Sequence, residues 1–321
     1  MWIEIIMNNT VDLSIITPCF NEEGNIADCI LAVRSIMESE IPDFSYEHLF
    51  IDNCSTDGTV EIIRQAARDD RRIKLIVNNR NVGVSRSIYR ALARVSGNAV
   101  VPMLPADLQD PVEVIPRFVS HWKAGSMIVF GQRIERQESI MMRLLRGMYY
   151  RTIRRLASSR IPINAGEFML IDRQVARSIT ELNDQYPYVR GLVAQADNRS
   201  SFVQYRWEKR KHGKSKSTPF VLIDVAINGL VSTSRMPARI ALLVGFSISF
   251  IGLALGLFAF ISTLIWGRQA LPGITSLFIG VFFIGGLQLF FLGLIGEYVL
   301  SIHGQVRPEP GVYSAEEINL Q

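Results

Sequence analysis

Charge is missing from two long stretches of this 321-residue sequence, and cysteine and histidine are scarce throughout it. The three cysteines, Cys19, Cys29 and Cys54, have no metal-ligand spacing, which argues against a thiolate metal site and a disulfide scaffold; they read as buried, reduced thiols. None of the four histidines, His48, His121, His212 and His303, lies in a motif at a strand end. The opening "MWIEIIMNNT" has no basic n-region, and its apolar run is too short for a signal peptide. No aromatic-basic motif accompanies the net charge of +4, which argues against nucleic acid as a partner.

The uncharged stretches run from Ile240 to Trp266 and from Ile274 to Ile295. A helix needs ~20 apolar residues to cross a bilayer core, so each is long enough. Only "GRQALPG" separates them, which predicts a hairpin over 240–302 that returns the chain to the side it left. Arg235 and Arg239 precede the first stretch and a basic cluster from Arg206 to Lys216 lies upstream, whereas the short connection holds Arg268 alone. The positive-inside bias therefore predicts an integral membrane protein with its large N-terminal part and both termini cytoplasmic, and membrane lipids as partners. Neither stretch carries an ionisable residue before Glu297, near the end of the second, which argues against a transporter.

From Leu13 to Phe130 short β-rich runs alternate with amphipathic ones. The strands expected are "LSIIT", "YEHLFI", "IKLIV", "NAVVPML" and "MIVF"; the helices are Ile26 to Glu38, Thr59 to Arg68, Ser85 to Val95 and Val112 to Trp122. That spacing predicts an α/β fold with a mostly parallel sheet and helices on both faces. Ligands of such sheets bind at the carboxyl ends of strands. There the sequence is polar four times over: "TPCFNEE", "DNCSTDGT", "NNRNVGVSRS" and "PADLQDP". Each loop alone reads as an ordinary helix start, Ser55-Thr56-Asp57 and Asp110-Pro111 among them. Four after successive strands favour one shared site. A basic amphipathic segment, 139–158, and a second amphipathic segment, 219–234, follow; the first suits either a membrane surface or packing on the sheet.

The motifs "SIITPCFNEEGNI", "IDNCSTDGT", "NVGVSRS" and "ADLQDP" resemble those of inverting family 2 glycosyltransferases with the GT-A, Rossmann-like fold. "NAGEFMLIDRQV", "RKHGKSK" and a hairpin ending "GEYVLSIHGQVRPEPGVY" are similar, more narrowly, to the polyisoprenyl-phosphate glycosyltransferases, which include dolichol-phosphate mannose synthase and the bactoprenol glucosyltransferases. The likeness runs from Leu13 to Tyr313. It implies transfer of a sugar from a nucleotide-diphosphate donor, leaning to UDP, onto polyprenyl phosphate in a bacterial plasma membrane, with inversion and for cell-envelope glycans. It also implies a homo-oligomer.

By the same resemblance, Pro18, Asn21, Glu22, Asp52, Asp57, Asn81, Gly83 and Asp107 are candidates for binding the nucleotide sugar, with Asp52 at the base or ribose. Asp57 reads equally as a helix cap. Asp107 and Gln109 are candidate catalytic residues and ligands of Mg2+ or Mn2+, although Pro105 replaces the first acid of the usual D-x-D and a plain polar loop is the alternative. Glu167 is a third catalytic candidate, orienting sugar hydroxyls or buried as a structural acid. Arg133, Arg210, Ser215 and Lys216 are candidates for the acceptor phosphate or the diphosphate; the run around Lys216 can also be a headgroup anchor. Asn53 and Asn164 stand where relatives carry acids. The expected organisation is a cytoplasmic transferase domain over 1–216, a juxtamembrane amphipathic helix over 217–239, the hairpin, and a cytoplasmic tail over 303–321. The alternatives are a non-catalytic membrane scaffold or lipid-binding subunit, and a processive polysaccharide synthase, whose Q-x-x-R-W "VQYRW" does not match; that run reads instead as an edge strand.

Overall fold

The computed structural model describes residues 11–134, 165–207, 273–306 and 312–320, with further helical positions between 243 and 265. They fall into two compact units, one built on a sheet and one on apolar helix.

In the first unit, β1 (Leu13–Cys19) and β2 (Tyr46–Asp52) are buried at every residue. Strands covered on both faces lose the usual in-out alternation, which is why they read as continuous runs. β3 (Ile73–Asn78) pairs parallel with β2, and β4 (Ala99–Val101) parallel with β1. β4 is shorter than its sequence promised, because Pro102 has no N–H to continue the ladder. β5 (Ile128–Arg133) and β6 (Ala165–Asp172) are antiparallel to each other, and β6 is also antiparallel to β4. β7 (Ser200–Tyr205) runs along β5 and forms one edge, as the "VQYRW" run suggested.

Four of the helices are those expected: α1 (Glu23–Glu40), α2 (Thr59–Asp69), α3 (Val84–Leu92) and α4 (Ile115–Lys123). α5 (Arg173–Thr180) starts where Asp172 accepts from the Gln174 N–H at 2.8 Å, and α6 (Val189–Ala196) follows. Ile26, Val33, Ile63 and Phe118 from α1, α2 and α4 pack on one face of the sheet. Ile88, Val175, Ile179 and Val193 from α3, α5 and α6 pack on the other. Burying each such side chain contributes ~1.5–3 kcal/mol, so the sheet is fixed from both sides. His48 is sealed in this core, with its Nε2 2.8 Å from Thr17 Oγ1 and its ring 4.1 Å from Phe50. Burial drives its pKa down to about 3, so it is neutral.

The stretch expected as a tail, 303–321, contains a further strand. Its Ser314–Ile318 segment is β8, antiparallel to β3 and the second edge of an eight-stranded sheet ordered β7-β5-β6-β4-β1-β2-β3-β8. Asn319 Nδ2 donates to the Ala67 and Ile73 carbonyls, each at 2.8 Å. Two adjacent acids made "SAEEI" look solvated. In a strand they point to opposite faces, where Arg64 meets Glu316 and Arg94 meets Glu317.

In the second unit, α7 (Gly273–Val306) is a single helix of 34 residues. Its part from Phe283 to Val306 is long and apolar enough to cross a membrane. The first apolar run is helical at its described positions, and a Cβ placed on Gly245 would lie 3.9 Å from Phe291 Cε2, within van der Waals contact. The amphipathic segments 139–158 and 219–234, together with Asn164, Arg210, Ser215 and Lys216, lie outside the described residues.

Candidate active site

Each of the four loops that leave β1, β2, β3 and β4 contains one residue with left-handed backbone: Asn21 (φ 55°), Cys54 (φ 63°), Gly83 (φ 82°) and Leu108 (φ 54°). Outside glycine this conformation costs ~1–2 kcal/mol, so tertiary bonds must hold it.

Those bonds join the first two loops. Pro18 and Cys19 end β1 opposite Ile51 and Asp52. The Asn21 N–H donates to Ser55 Oγ at 2.9 Å, and Asn21 Oδ1 accepts from the Thr56 N–H at 2.9 Å. The Glu22 N–H donates to Thr59 Oγ1 at 2.9 Å, and the Glu22 carboxylate accepts from Asn25 Nδ2 at 2.6 Å. Asp52 is fully buried; it accepts from the Ser55 N–H at 2.8 Å and from Ser55 Oγ at 2.5 Å. Burial raises its pKa, against the pull of those Ser55 bonds. Asp57 accepts from the Thr59 N–H at 3.0 Å and from the Glu23 N–H at 3.3 Å, and Glu23 in return accepts from the Gly58 N–H at 2.8 Å. Asp57 thus ties the start of α1 to the start of α2. Burial pushes its pKa up, but the Thr59 bonds outweigh that and hold the carboxyl low.

The third loop is fastened by Asn53, a residue whose role the sequence did not reveal. Its Oδ1 accepts from Ser87 Oγ at 2.7 Å, from Asn78 Nδ2 at 3.1 Å and from the Val82 N–H at 3.3 Å. Asn81 Oδ1 accepts from the Gly83 N–H at 3.0 Å, turning the chain into α3. Beyond β3, the Asn79 N–H donates to the Tyr313 carbonyl at 3.1 Å, so the segment leading into β8 also braces this loop.

In the fourth loop the nearly buried Asp107 accepts from the Gln109 N–H at 3.2 Å, across the left-handed Leu108. Asp107 and Gln109 offer one carboxylate and one amide oxygen on a single turn. Among the described residues there is no group of three or more His, Cys, Asp or Glu that could hold a metal. A two-oxygen donor set fits Mg2+ or Mn2+, which takes its remaining ligands from phosphate and water.

A charged cluster adjoins that turn. Arg133, at the end of β5, donates to Asp110 from Nε at 3.1 Å and from Nη2 at 2.9 Å, and the Tyr205 hydroxyl of β7 donates to Asp110 at 2.5 Å. The guanidinium lies against Gly166, where a Cβ would sit 3.4 Å from Nη2. Next to Gly166 is Glu167, whose pKa burial raises against the attraction of Arg190 and Arg133. Asp110 and Arg190 were missed as members of this cluster: Asp110 precedes a proline and reads as a helix start, and nothing in the spacing of Arg190 points to Glu167.

Fold and rim together define an α/β protein that presents one polar site at the carboxyl ends of its parallel strands. A profile of glycosyl transferase family 2 matches residues 14–180. An uncharacterized glycosyltransferase of Synechocystis sp. is 32% identical over 94% of each chain. A SfII prophage-derived bactoprenol glucosyl transferase of Shigella flexneri is 30% identical over 93% of this chain and 96% of its own. Among solved structures, glucosyl-3-phosphoglycerate synthase from Mycobacterium tuberculosis in complex with UDP has a TM-score of 0.49 at 18% identity, covering 69% of this chain and 79% of that one. The chain belongs to glycosyl transferase family 2, and it is a glycosyltransferase.

Proposed function

We propose that the protein transfers a sugar from a UDP-linked donor to polyprenyl phosphate at the cytoplasmic face of a membrane, with inversion at the anomeric carbon. The observation that carries this reading is the Asp107–Gln109 turn, set among interlocked strand-end loops in a chain that matches bactoprenol glucosyl transferases along almost its whole length.

The acceptor phosphate is anionic at neutral pH. Its oxygen bonds to the anomeric carbon while the bond from that carbon to the donor diphosphate breaks, so no proton has to be removed. A histidine base is not required, and His48 is neutral in the core. Asp107 and Gln109 would hold Mg2+ or Mn2+, which supplies positive charge to the departing diphosphate when bound. Pro18, Asn21, Glu22 and Asp52 form the part of the rim assigned to the nucleotide, and Asn81 and Gly83 continue it. Asp52 is fully buried and accepts from Ser55 and from Cys19 Sγ, so in this reading the Ser55 bonds give way for it to take the imino N–H of uracil. Asp57 organises the two helix starts behind them. Glu167 faces the sugar hydroxyls in this reading, and Arg133, Arg210, Ser215 and Lys216 serve the phosphates.

Membrane attachment is supported by the apolar helix, and the sheet limits how the chain can cross. Residues on both sides of the apolar segment share one sheet, so the segment between them crosses a membrane an even number of times if it crosses at all. Two apolar runs then make one hairpin, and the arginines before the first run set the sheet on the cytoplasmic face. In this organisation the transferase domain comprises 1–216 together with the strand beyond the hairpin.

The test is transfer to undecaprenyl phosphate in detergent from a panel of labelled UDP- and GDP-sugars, with manganese, magnesium or chelator. The expected result is a lipid-extractable product from one UDP-sugar, lost with chelator. No product from any donor, with the protein folded, would refute the reading.

A further inference from the structure

We infer that Asp110 is a positioning residue for the acceptor phosphate, acting through Arg133. The inference rests on the proposed transfer to polyprenyl phosphate.

Asp110 is 3% exposed. A buried carboxylate needs several donors, and this one has three: Arg133 Nε at 3.1 Å, Arg133 Nη2 at 2.9 Å and the Tyr205 hydroxyl at 2.5 Å. Tyr205 Oη also accepts from Arg133 Nε at 3.1 Å, which closes the three groups into one network. Bidentate pairing of this kind fixes the plane of a guanidinium as well as its place. The Arg133 plane is bounded further by Gly166 on one strand and by the Trp207 ring, whose centroid is 5.1 Å from Cζ.

A helix start accounts for none of this. Asp110 accepts no bond from the turn that follows it; Val112–Val114 begins without a side-chain cap, and the carboxylate is spent across the sheet instead. Three elements therefore converge on one carboxylate: the loop that carries Asp107 and Gln109, the end of β5, and the end of β7 just before the chain enters its basic segment. Arg133 in turn acts electrostatically on Glu167. The arrangement holds a phosphate-binding cation at a fixed distance from the metal-binding turn, which is what an in-line attack by a bound phosphate requires.

The experiment uses the full chain in detergent. Acceptor KM, kcat and thermal midpoint are measured for the wild type, Asp110→Asn, Arg133→Gln, the double variant, and Tyr205→Phe. Asp110→Asn and Arg133→Gln should each raise the acceptor KM about tenfold or more, and the double variant should be no worse than the poorer single one. Tyr205→Phe should give a smaller rise, and the KM for the donor should stay near the wild-type value throughout. A lowered thermal midpoint with an unchanged acceptor KM in Asp110→Asn would overturn the inference, since a merely structural pair predicts that result. Multiplying effects in the double variant would overturn it as well. A wild type that transfers nothing to polyprenyl phosphate would instead refute the functional reading, and this inference with it.

Discussion

Glu316 accepts two hydrogen bonds from Arg64, from Nε at 2.9 Å and Nη2 at 2.8 Å, which joins a strand beyond the apolar helix to α2 of the sheet. Both side chains are partly exposed, so the pair contributes about 1 kcal/mol or less on its own. Glu316→Ala should lower the thermal midpoint slightly, and the exchange Arg64→Glu with Glu316→Arg should restore most of it. Removing the chain from Tyr313 onward should do more, because the Asn79 N–H then loses its acceptor and the loop carrying Asn81 and Gly83 is no longer braced. The donor KM should rise several-fold. An unaltered donor KM in the shortened protein would show that the strand only covers an edge.

Asp107→Ala should reduce transfer by at least ~100-fold, because the turn loses its one anionic oxygen. Thermal unfolding of the variant separates this loss from any loss of folding, since the Asp107 carboxylate accepts from the Gln109 N–H within its own turn. Gln109→Ala should cost less. Donor calorimetry with manganese checks both: full activity in Asp107→Ala would remove the turn from the mechanism.

Asn53→Ala leaves Ser87, Asn78 and the Val82 N–H without their shared acceptor, two of them deep in the protein. That should cost ~1–3 kcal/mol and loosen the third loop. Asn53→Asp retains the acceptor and should keep most of the stability. Thermal unfolding of the two variants side by side decides the point; equal losses would mean that the three donors do not depend on Oδ1.

Acid sensitivity should begin near neutrality. The His48 pKa is about 3 in the fold and ~6.5 in the unfolded chain, so below 6.5 the unfolded state takes up a proton that the folded state refuses. Stability therefore falls as pH drops from about 6.5 to about 3, by at most ~1.4 kcal/mol per unit from this one group. Glu47 adds to the loss at lower pH. Burial works to raise its pKa, but Lys74, Ser14 and Ser96 hold it below the usual range, so its contribution is present above the unfolded carboxylate pKa and disappears as pH falls through the folded one. His48→Gln can still bond Thr17 and should flatten the slope between pH 6.5 and 5. Parallel slopes for the two proteins would contradict the assignment.

The residues that were legible in sequence share a property: their signal is local. Five strands, four helices and the four polar loops follow from runs and alternation, and the Asp107–Gln109 pair follows from its position at a strand end. Arg133 was legible as a cation near the site but not as the partner of Asp110, because that bond crosses from one loop to another strand. Asn53 looked like a lost acid, and only its three donors reveal what an amide does there. β8 was the hardest to see, since a five-residue strand with two acids has no apolar pattern and takes its place from Arg64, Arg94 and the open side of β3.

That last strand sets an order of events during synthesis. β3 leaves the ribosome long before β8, and the whole apolar segment is made in between. Until then the outer edge of β3 has no partner, and an unpaired edge is a template for pairing with other chains. A nascent protein could therefore complete its sheet only after its apolar helices had emerged. The loop that carries Asn81 and Gly83 therefore acquires its brace from Tyr313 late, after the apolar helix has been made, so this corner of the sheet is the last to be completed.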